Sequence, residues 1–292
     1  MDARAIEGAR RRCRAPLACA SLAALAAALG ACSTGLLEDG RDRAIRIATD
    51  NGFTPAHVDG GQFTLFSASR ARPGGGDRLV VYVEGDGRAW ENRYVLASDP
   101  TPLEPMALKL AARDPAPLVA YLARPCQYTR AEADRACPSR YWSGHRYAPE
   151  VIAATGRVID HYKSLLGARE VELVGYSGGG AVAALLAAER DDVVALTTVA
   201  APLDHRAWTA HHGLSPMAGS LNPADFAAAL AKVPQVHLVG ADDSVVPPAV
   251  AEAYLAHLGD RSHSRLVRIE DFGHTCCWER RWPELRAAYH AS

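Results

Sequence analysis

The sequence predicts an α/β protein, with a mostly parallel central sheet and helices on both faces. Three observations point there. From about residue 118 onward, short apolar runs alternate with stretches whose apolar residues recur at helical spacing. A glycine-rich turn, Gly175-Tyr176-Ser177-Gly178-Gly179-Gly180, falls between one such run and the helix after it. The 292 residues, 49% hydrophobic and 22% charged, suit one large folded domain and exclude a disordered or fibrous chain.

The N-terminus reads as an address. Arg10, Arg11, Arg12 and Arg14 precede an almost uncharged Ala- and Leu-rich stretch from Ala15 to Ala31. A basic flank, a short apolar segment and small residues at its end describe a secretory signal. A spanning helix wants about 20 apolar residues, and Pro16 opens this segment. Its end, Leu29-Gly30-Ala31-Cys32, resembles the bacterial lipobox, which implies cleavage before Cys32 and lipidation of that cysteine. Ser33 in the next position, rather than Asp, would permit sorting to an outer membrane if the source is Gram-negative. The expected organisation is a lipoprotein signal peptide over 1–31, a tether over 32–42 and one domain over 43–292. Acyl chains would then hold a monomeric body at the bacterial cell envelope, facing periplasm or exterior.

Net charge is −1 and aromatics are only 7%, so neither a basic field nor a stacking surface suggests a nucleic-acid partner. Of seven cysteines, Cys13 and Cys19 fall in the signal and Cys32 at the lipobox. Cys126, Cys137, Cys276 and Cys277 remain, and an oxidising compartment allows three pairings. Cys126 with Cys137 closes a short polar loop and is favoured. Pairing the adjacent Cys276 and Cys277 would need a strained ring, so crossed pairing or free thiols stay open. No Cys/His spacing supports a zinc site.

Along the domain, residues 43–49, 62–68 and 79–84 read as early strands, with Pro73-Gly74-Gly75-Gly76-Asp77 turning into the third. Leu118–Leu122 is another strand. A helix follows over 150–166, then a strand over 171–174, a helix over 178–189 and strands over 193–199 and 236–239. A helix over 248–258, a strand over 266–269 and a final helix from 279 complete the pattern. Two irregular excursions interrupt it, at about 86–147 and 200–232. In such sheets reactive groups gather beyond the carboxyl ends of the strands.

The glycine-rich turn carries the chemistry. A GxSxG turn between strand and helix forces a nucleophile, here Ser177, into a tight elbow, and small neighbours let the two backbones approach. The helix N-terminus offers free N–H groups to a developing oxyanion. A serine hydroxyl needs a base and an orienting acid. Asp243 stands just past the 236–239 strand, in Gly240-Ala241-Asp242-Asp243-Ser244; Asp242 and Asp204 are its competitors. His274 follows the last strand, in Asp271-Phe272-Gly273-His274. His205, His211 and His212 lie in the second excursion, where they could line an entrance.

Ser177, Asp243 and His274, in that order, resemble the triad of the α/β-hydrolase family over nearly all of 79–290. That resemblance implies the α/β-hydrolase fold and an oxyanion hole of two backbone amides. One belongs to Gly178 and the other to the Glu84-Gly85-Asp86-Gly87 loop, where Asp86 is preferred and Gly87 is the alternative. This sequence carries Glu-Gly where the family commonly has His-Gly. The 124–147 loop resembles segments of poorly characterised bacterial secreted hydrolases, and 201–232, with Trp208 and Leu214, could form a small cap.

A dinucleotide site would need an acid at the end of the strand after the glycines; Val199-Ala200-Ala201-Pro202 supplies none, and no cofactor is expected. The expected function is therefore ester hydrolysis through an acyl-enzyme on a small or lipid-like ester. Acyl transfer, peptidase or amidase chemistry, and a non-catalytic envelope protein on the same scaffold are the alternatives.

Overall fold

Alternation along the central strands gives the sheet two apolar faces. In the computed structural model, which describes residues 39–92, 94–129 and 137–289, β3 (Arg78–Val83) turns Leu79, Val81 and Val83 to one core and Val80 and Tyr82 to the other. The expected signal segment and Cys32 lie outside the described residues. Strands β1 (Thr54–Asp59), β2 (Thr64–Ala71), β3, β6 (Leu118–Leu122), β7 (Glu170–Tyr176), β8 (Val193–Val199), β9 (Gln235–Gly240) and β10 (Ser264–Ile269) form one eight-stranded sheet. Its order is β1-β2-β6-β3-β7-β8-β9-β10, antiparallel from β1 to β6 and parallel beyond. A small hairpin, β4 (Trp90–Asn92) with β5 (Val95–Leu96), stands apart in the first excursion.

Helices cover both faces. Helices α3 (Pro149–Leu166), α4 (Gly178–Glu189) and α7 (Pro248–His257) pack on one; α1 (Gly40–Asp50), α2 (Met106–Ala112) and α8 (Trp278–Ala288) on the other. Helix α3 shows the local logic. Pro149 sits at its first turn, Val151, Ile152, Val158, Ile159 and Tyr162 face the core, and Gly167 ends it at φ 69°. Each such large apolar side chain, fully buried, contributes about 1.5–3 kcal/mol. Both cores lie within Gly40–Ser292, which is one compact unit.

The 43–49 strand is a correction: those residues belong to helix α1. Ile45 and Ile47 flank Arg46 and mimic a strand's alternation, but the buried residues are Gly40, Ala44 and Ala48, at four-residue spacing. Strand β1 escaped the reading because Thr54-Pro55-Ala56-His57 is weakly apolar, which suits its place at the sheet edge.

Cys126 and Cys137 are joined, with 5.5 Å between their Cα atoms. Cys276 and Cys277 are also joined, across a cis peptide.

The chain runs from β3 out to β6 on one side, then crosses to β7 on the other and continues to β10. The loops after β3 and β7 therefore part at the sheet's switch point, where open α/β sheets form crevices.

Candidate active site

Ser177 joins β7 to α4 at φ 50° and ψ −128°, a conformation L-residues rarely hold. The turn persists because its neighbours admit no side chains. A Cβ on Gly175 would come within 2.4 Å of Gly179 O, and one on Gly179 within 2.2 Å of Val83 O. Gly180 is pressed against Ala201, where a Cβ would meet another at 2.3 Å. Backbone bonds from Ser177 N to Val199 O (2.8 Å) and from Gly180 N to Ser177 O (2.8 Å) fix the elbow.

His274 reaches Ser177 from the loop after β10. Its Nε2 lies 3.0 Å from Ser177 Oγ, and its Nδ1 lies 2.9 Å from Asp243 Oδ2. Asp243 is fully buried at its side chain, and its Oδ1 accepts from the amides of Val245 and Val246, both at 2.8 Å. Two donors also hold the histidine's own backbone: Tyr176 Oη (3.0 Å) and Trp278 Nε1 (2.9 Å) bond to His274 O. The carboxylate thus fixes Nδ1 as the protonated nitrogen and leaves Nε2 to accept from the serine.

The competing acids stand elsewhere. Asp242 is exposed. Asp204 caps α5 (His205–His212), accepting from Arg206 N and Ala207 N, and lies 3.5 Å from His257 Nε2. Of the second excursion, Trp208, Thr209 and Leu214 line the cavity; His205, His211 and His212 are not among its lining residues. His205 is buried with both ring nitrogens unpartnered among the described residues.

Gly178 supplies the first amide of α4, which no helical carbonyl can accept. Opposite it lies the loop after β3. A Cβ on Gly87 would meet Pro100 O at 2.0 Å, so that turn requires glycine, at φ 66°. Asp86 puts its carboxylate against Gly178 and is itself held by Arg124 (3.0 Å), Arg146 (2.7 Å) and Tyr147 Oη (3.2 Å). Burial opposes ionisation of Asp86, but Arg146 and Arg124 prevail and hold it below the usual aspartate value. Arg124 also donates to Arg146 O, and Gln127 Nε2 to Gly85 O at 2.9 Å.

Glu84 precedes that loop. Its Oε1 accepts from Gly85 N (2.9 Å) and Ala107 N (3.2 Å), and its Oε2 from Tyr121 Oη (3.1 Å). Burial pushes its carboxyl up to about 7 despite those donors. Sequence reading missed Arg124, Arg146 and Tyr147 as parts of the site and named Glu84 only as the start of the oxyanion loop. Only the resemblance of the 124–147 loop to segments of secreted hydrolases, beside the favoured disulfide, pointed to this stretch.

A cavity of about 1070 Å³ opens over Ser177 and His274. Its walls come from the loop after β3, the β4–β5 hairpin, Tyr147, and the 208–217 segment. Among the described residues, no three His, Cys, Asp or Glu side chains gather as a metal site. The arrangement can deprotonate a hydroxyl and aim it at a carbon held beside free amides.

No family model matches the chain, and no curated protein matches it. Solved structures do. Est1E from Butyrivibrio proteoclasticus with ferulic acid bound is 16% identical, at TM-score 0.57, over 80% of this chain and 97% of that one. An alpha-beta serine hydrolase homologue from Coxiella burnetii is 16% identical, at TM-score 0.54, over 80% and 94%. Pyrococcus horikoshii acylaminoacyl peptidase is 13% identical, at TM-score 0.56, over 81% of this chain and 41% of that one.

Proposed function

We propose that this chain, which has the α/β-hydrolase fold, is a serine hydrolase of carboxylic esters. The observation that carries the reading is the hydrogen-bonded series Asp243–His274–Ser177 at 2.9 and 3.0 Å, ending on a serine in a strained elbow. Ser177 Oγ attacks the ester carbonyl as His274 Nε2 takes its proton. Asp243 stabilises the imidazolium and keeps its orientation. The amides of Gly178 and Asp86 receive the oxyanion. His274 then protonates the leaving alcohol, and the acyl-enzyme forms. Water, deprotonated by the same His274, releases the acid and restores Ser177.

The solved structures of this fold include esterase and peptidase names, so the choice of ester over amide rests on chemistry rather than likeness. An alkoxide is a far better leaving group than an amide nitrogen, so an ester asks less of His274 as general acid than an amide does. The lipobox-like Leu29–Cys32 segment supports a further reading: cleavage before Cys32, a lipid anchor there, and a monomeric body at a bacterial outer membrane.

The test is hydrolysis of p-nitrophenyl esters from acetate to palmitate, beside the matching anilides, by the chain lacking residues 1–31. Ester turnover that falls at least about 1000-fold in Ser177→Ala is the expected result. Anilide cleavage with no ester cleavage would assign a peptidase or amidase. Folded protein with no turnover above Ser177→Ala on either series would overturn catalysis.

A further inference from the structure

Soluble proteins scatter their exposed large apolar side chains singly, and a cluster of them marks a surface with an occupant. Among the described residues seven such side chains are exposed, and five line the cavity over Ser177. They are Trp90 (43% exposed), Tyr94 (84%), Leu103 (49%), Leu214 (41%) and Val245 (46%). A sixth, Val95, belongs to the same β4–β5 hairpin as Trp90. The apolar surface of this face is therefore a rim around the mouth of one cavity, contributed by four separate segments of chain.

The chain enters the domain beside that rim. A Cβ on Gly40, the first residue of α1, would lie 2.6 Å from Pro102 O. Arg43 donates to Leu103 O at 3.3 Å and pairs with Glu104, both in the segment that carries the rim's Leu103. Cys32 stands eight residues before Gly40. Eight residues reach at most about 28 Å. A domain of about 250 residues is about 45 Å across by the usual scaling of radius with length. A lipid on Cys32 thus keeps Gly40, and the Leu103 segment beside it, within about 28 Å of a bilayer.

We propose that the rim of Trp90, Tyr94, Leu103, Leu214 and Val245 docks on a lipid bilayer, so that the site takes ester substrates dissolved in that bilayer. The inference rests on the ester reading for the substrate and on Cys32 for the anchor; the docking itself rests on the rim. Trp and Tyr suit the headgroup level, with an apolar ring and a polar edge, while Leu103, Leu214 and Val245 enter the acyl boundary. The substrate's acyl chain then passes from lipid to cavity without crossing water.

The experiment uses the chain lacking residues 1–31 with Cys32→Ser, so that no acyl group contributes to binding. It is sedimented with phosphatidylcholine vesicles, alone and as the Tyr94→Ser/Leu103→Ser/Leu214→Ser variant. Turnover of p-nitrophenyl palmitate carried in those vesicles is compared with turnover of dissolved p-nitrophenyl acetate. The expected result is a vesicle-bound parent, a bound fraction at least fivefold lower in the variant, and a palmitate-to-acetate ratio at least tenfold lower. Unchanged melting temperature verifies the variant's fold; if it melts early, Tyr94→Asp alone, at the most exposed position, repeats the test.

A parent that stays in the supernatant, or a variant that matches it in binding and in the ratio, overturns the docking. Dimerisation lost in the variant, with no vesicle binding by the parent, also overturns it and gives the rim to a second copy. A parent that binds vesicles through the rim but cleaves neither ester sustains the docking and overturns the ester reading instead.

Discussion

The carboxylate of Asp86 lies so close to Gly178 that a Cβ at position 178 would come within 2.0 Å of Asp86 Oδ1. The carboxylate cannot retreat, because Arg124 and Arg146 grip both its oxygens. A negative charge beside a developing oxyanion would oppose catalysis, and the two guanidinium groups reverse that local balance.

Replacing Gly178 by Ala should therefore damage stability and turnover together. Overpacking of this kind costs about 1–3 kcal/mol, which outweighs the usual helix gain of about 1 kcal/mol from Gly to Ala. Turnover should fall about 100-fold as the amide shifts. Gly156→Ala in α3 is the control, since its Cβ would meet nothing nearer than 3.5 Å and stability should hold or rise. Urea unfolding and initial rates on both variants check the pair; a tolerated Gly178→Ala would mean that Asp86 is free to move.

The three candidate acids separate cleanly by substitution. Asp243→Asn should lower kcat/KM by roughly three to four orders of magnitude, because the amide no longer selects the right imidazole tautomer. Asp242→Asn should leave kcat/KM within about twofold, as expected for an exposed side chain away from His274. Asp204→Ala should cost about 1 kcal/mol of stability through the lost helix cap while sparing kcat. Steady-state kinetics with melting curves on all three decides, and a large kcat loss only at Asp204 would reassign the acid.

Glu84 makes stability depend on pH in a stated direction. Burial raises its folded carboxyl to about 7, against 4.5 for the ordinary glutamate. The folded state therefore binds the proton more tightly. The stability this provides is complete below about 4.5 and is lost as pH rises through about 7. Glu84→Gln stays neutral and keeps acceptors for Gly85 N and Ala107 N. Between pH 5 and pH 8 the parent should lose roughly 2–3 kcal/mol more than Glu84→Gln. Parallel urea titrations with equal slopes in the two proteins would remove Glu84 from this role.

The Cys126–Cys137 bond closes a segment of sequence separation 11, adjacent to Arg124 and Gln127. The Cys126→Ser/Cys137→Ser double variant should be less stable by about 3 kcal/mol, from the freed chain entropy of the unfolded state. KM should rise as well, since Arg124 and Gln127 hold the loop that carries Asp86 and Gly85. Unaltered KM in a destabilised variant would confine the bond to stability.

What was legible in the sequence follows from range. Helices α3 and α4 and strands β7 and β8 announce themselves by local periodicity, and Ser177 by glycines whose closeness is a matter of adjacent turns. The placement of Asp243 and His274 beside Ser177 could be expected because each sits just after a strand in a repeating pattern. The Asp86–Arg124–Arg146 cluster was not, because its members lie up to 60 residues apart and nothing in the local sequence marks a buried charge. Helix α1 was misread because two isoleucines around an arginine imitate a strand. Of the apolar rim only Leu214 was singled out, as part of a small cap; Trp90 and Leu103 look like ordinary core residues until the fold leaves them outside.

The most direct measurement is covalent trapping of the nucleophile with a fluorophosphonate, read by intact and peptide mass spectrometry. The expected result is one adduct per chain, on Ser177, absent in Ser177→Ala and formed at least about 100-fold more slowly in His274→Ala. An adduct at another residue, or no adduct on folded protein, would contradict Ser177 as an activated nucleophile.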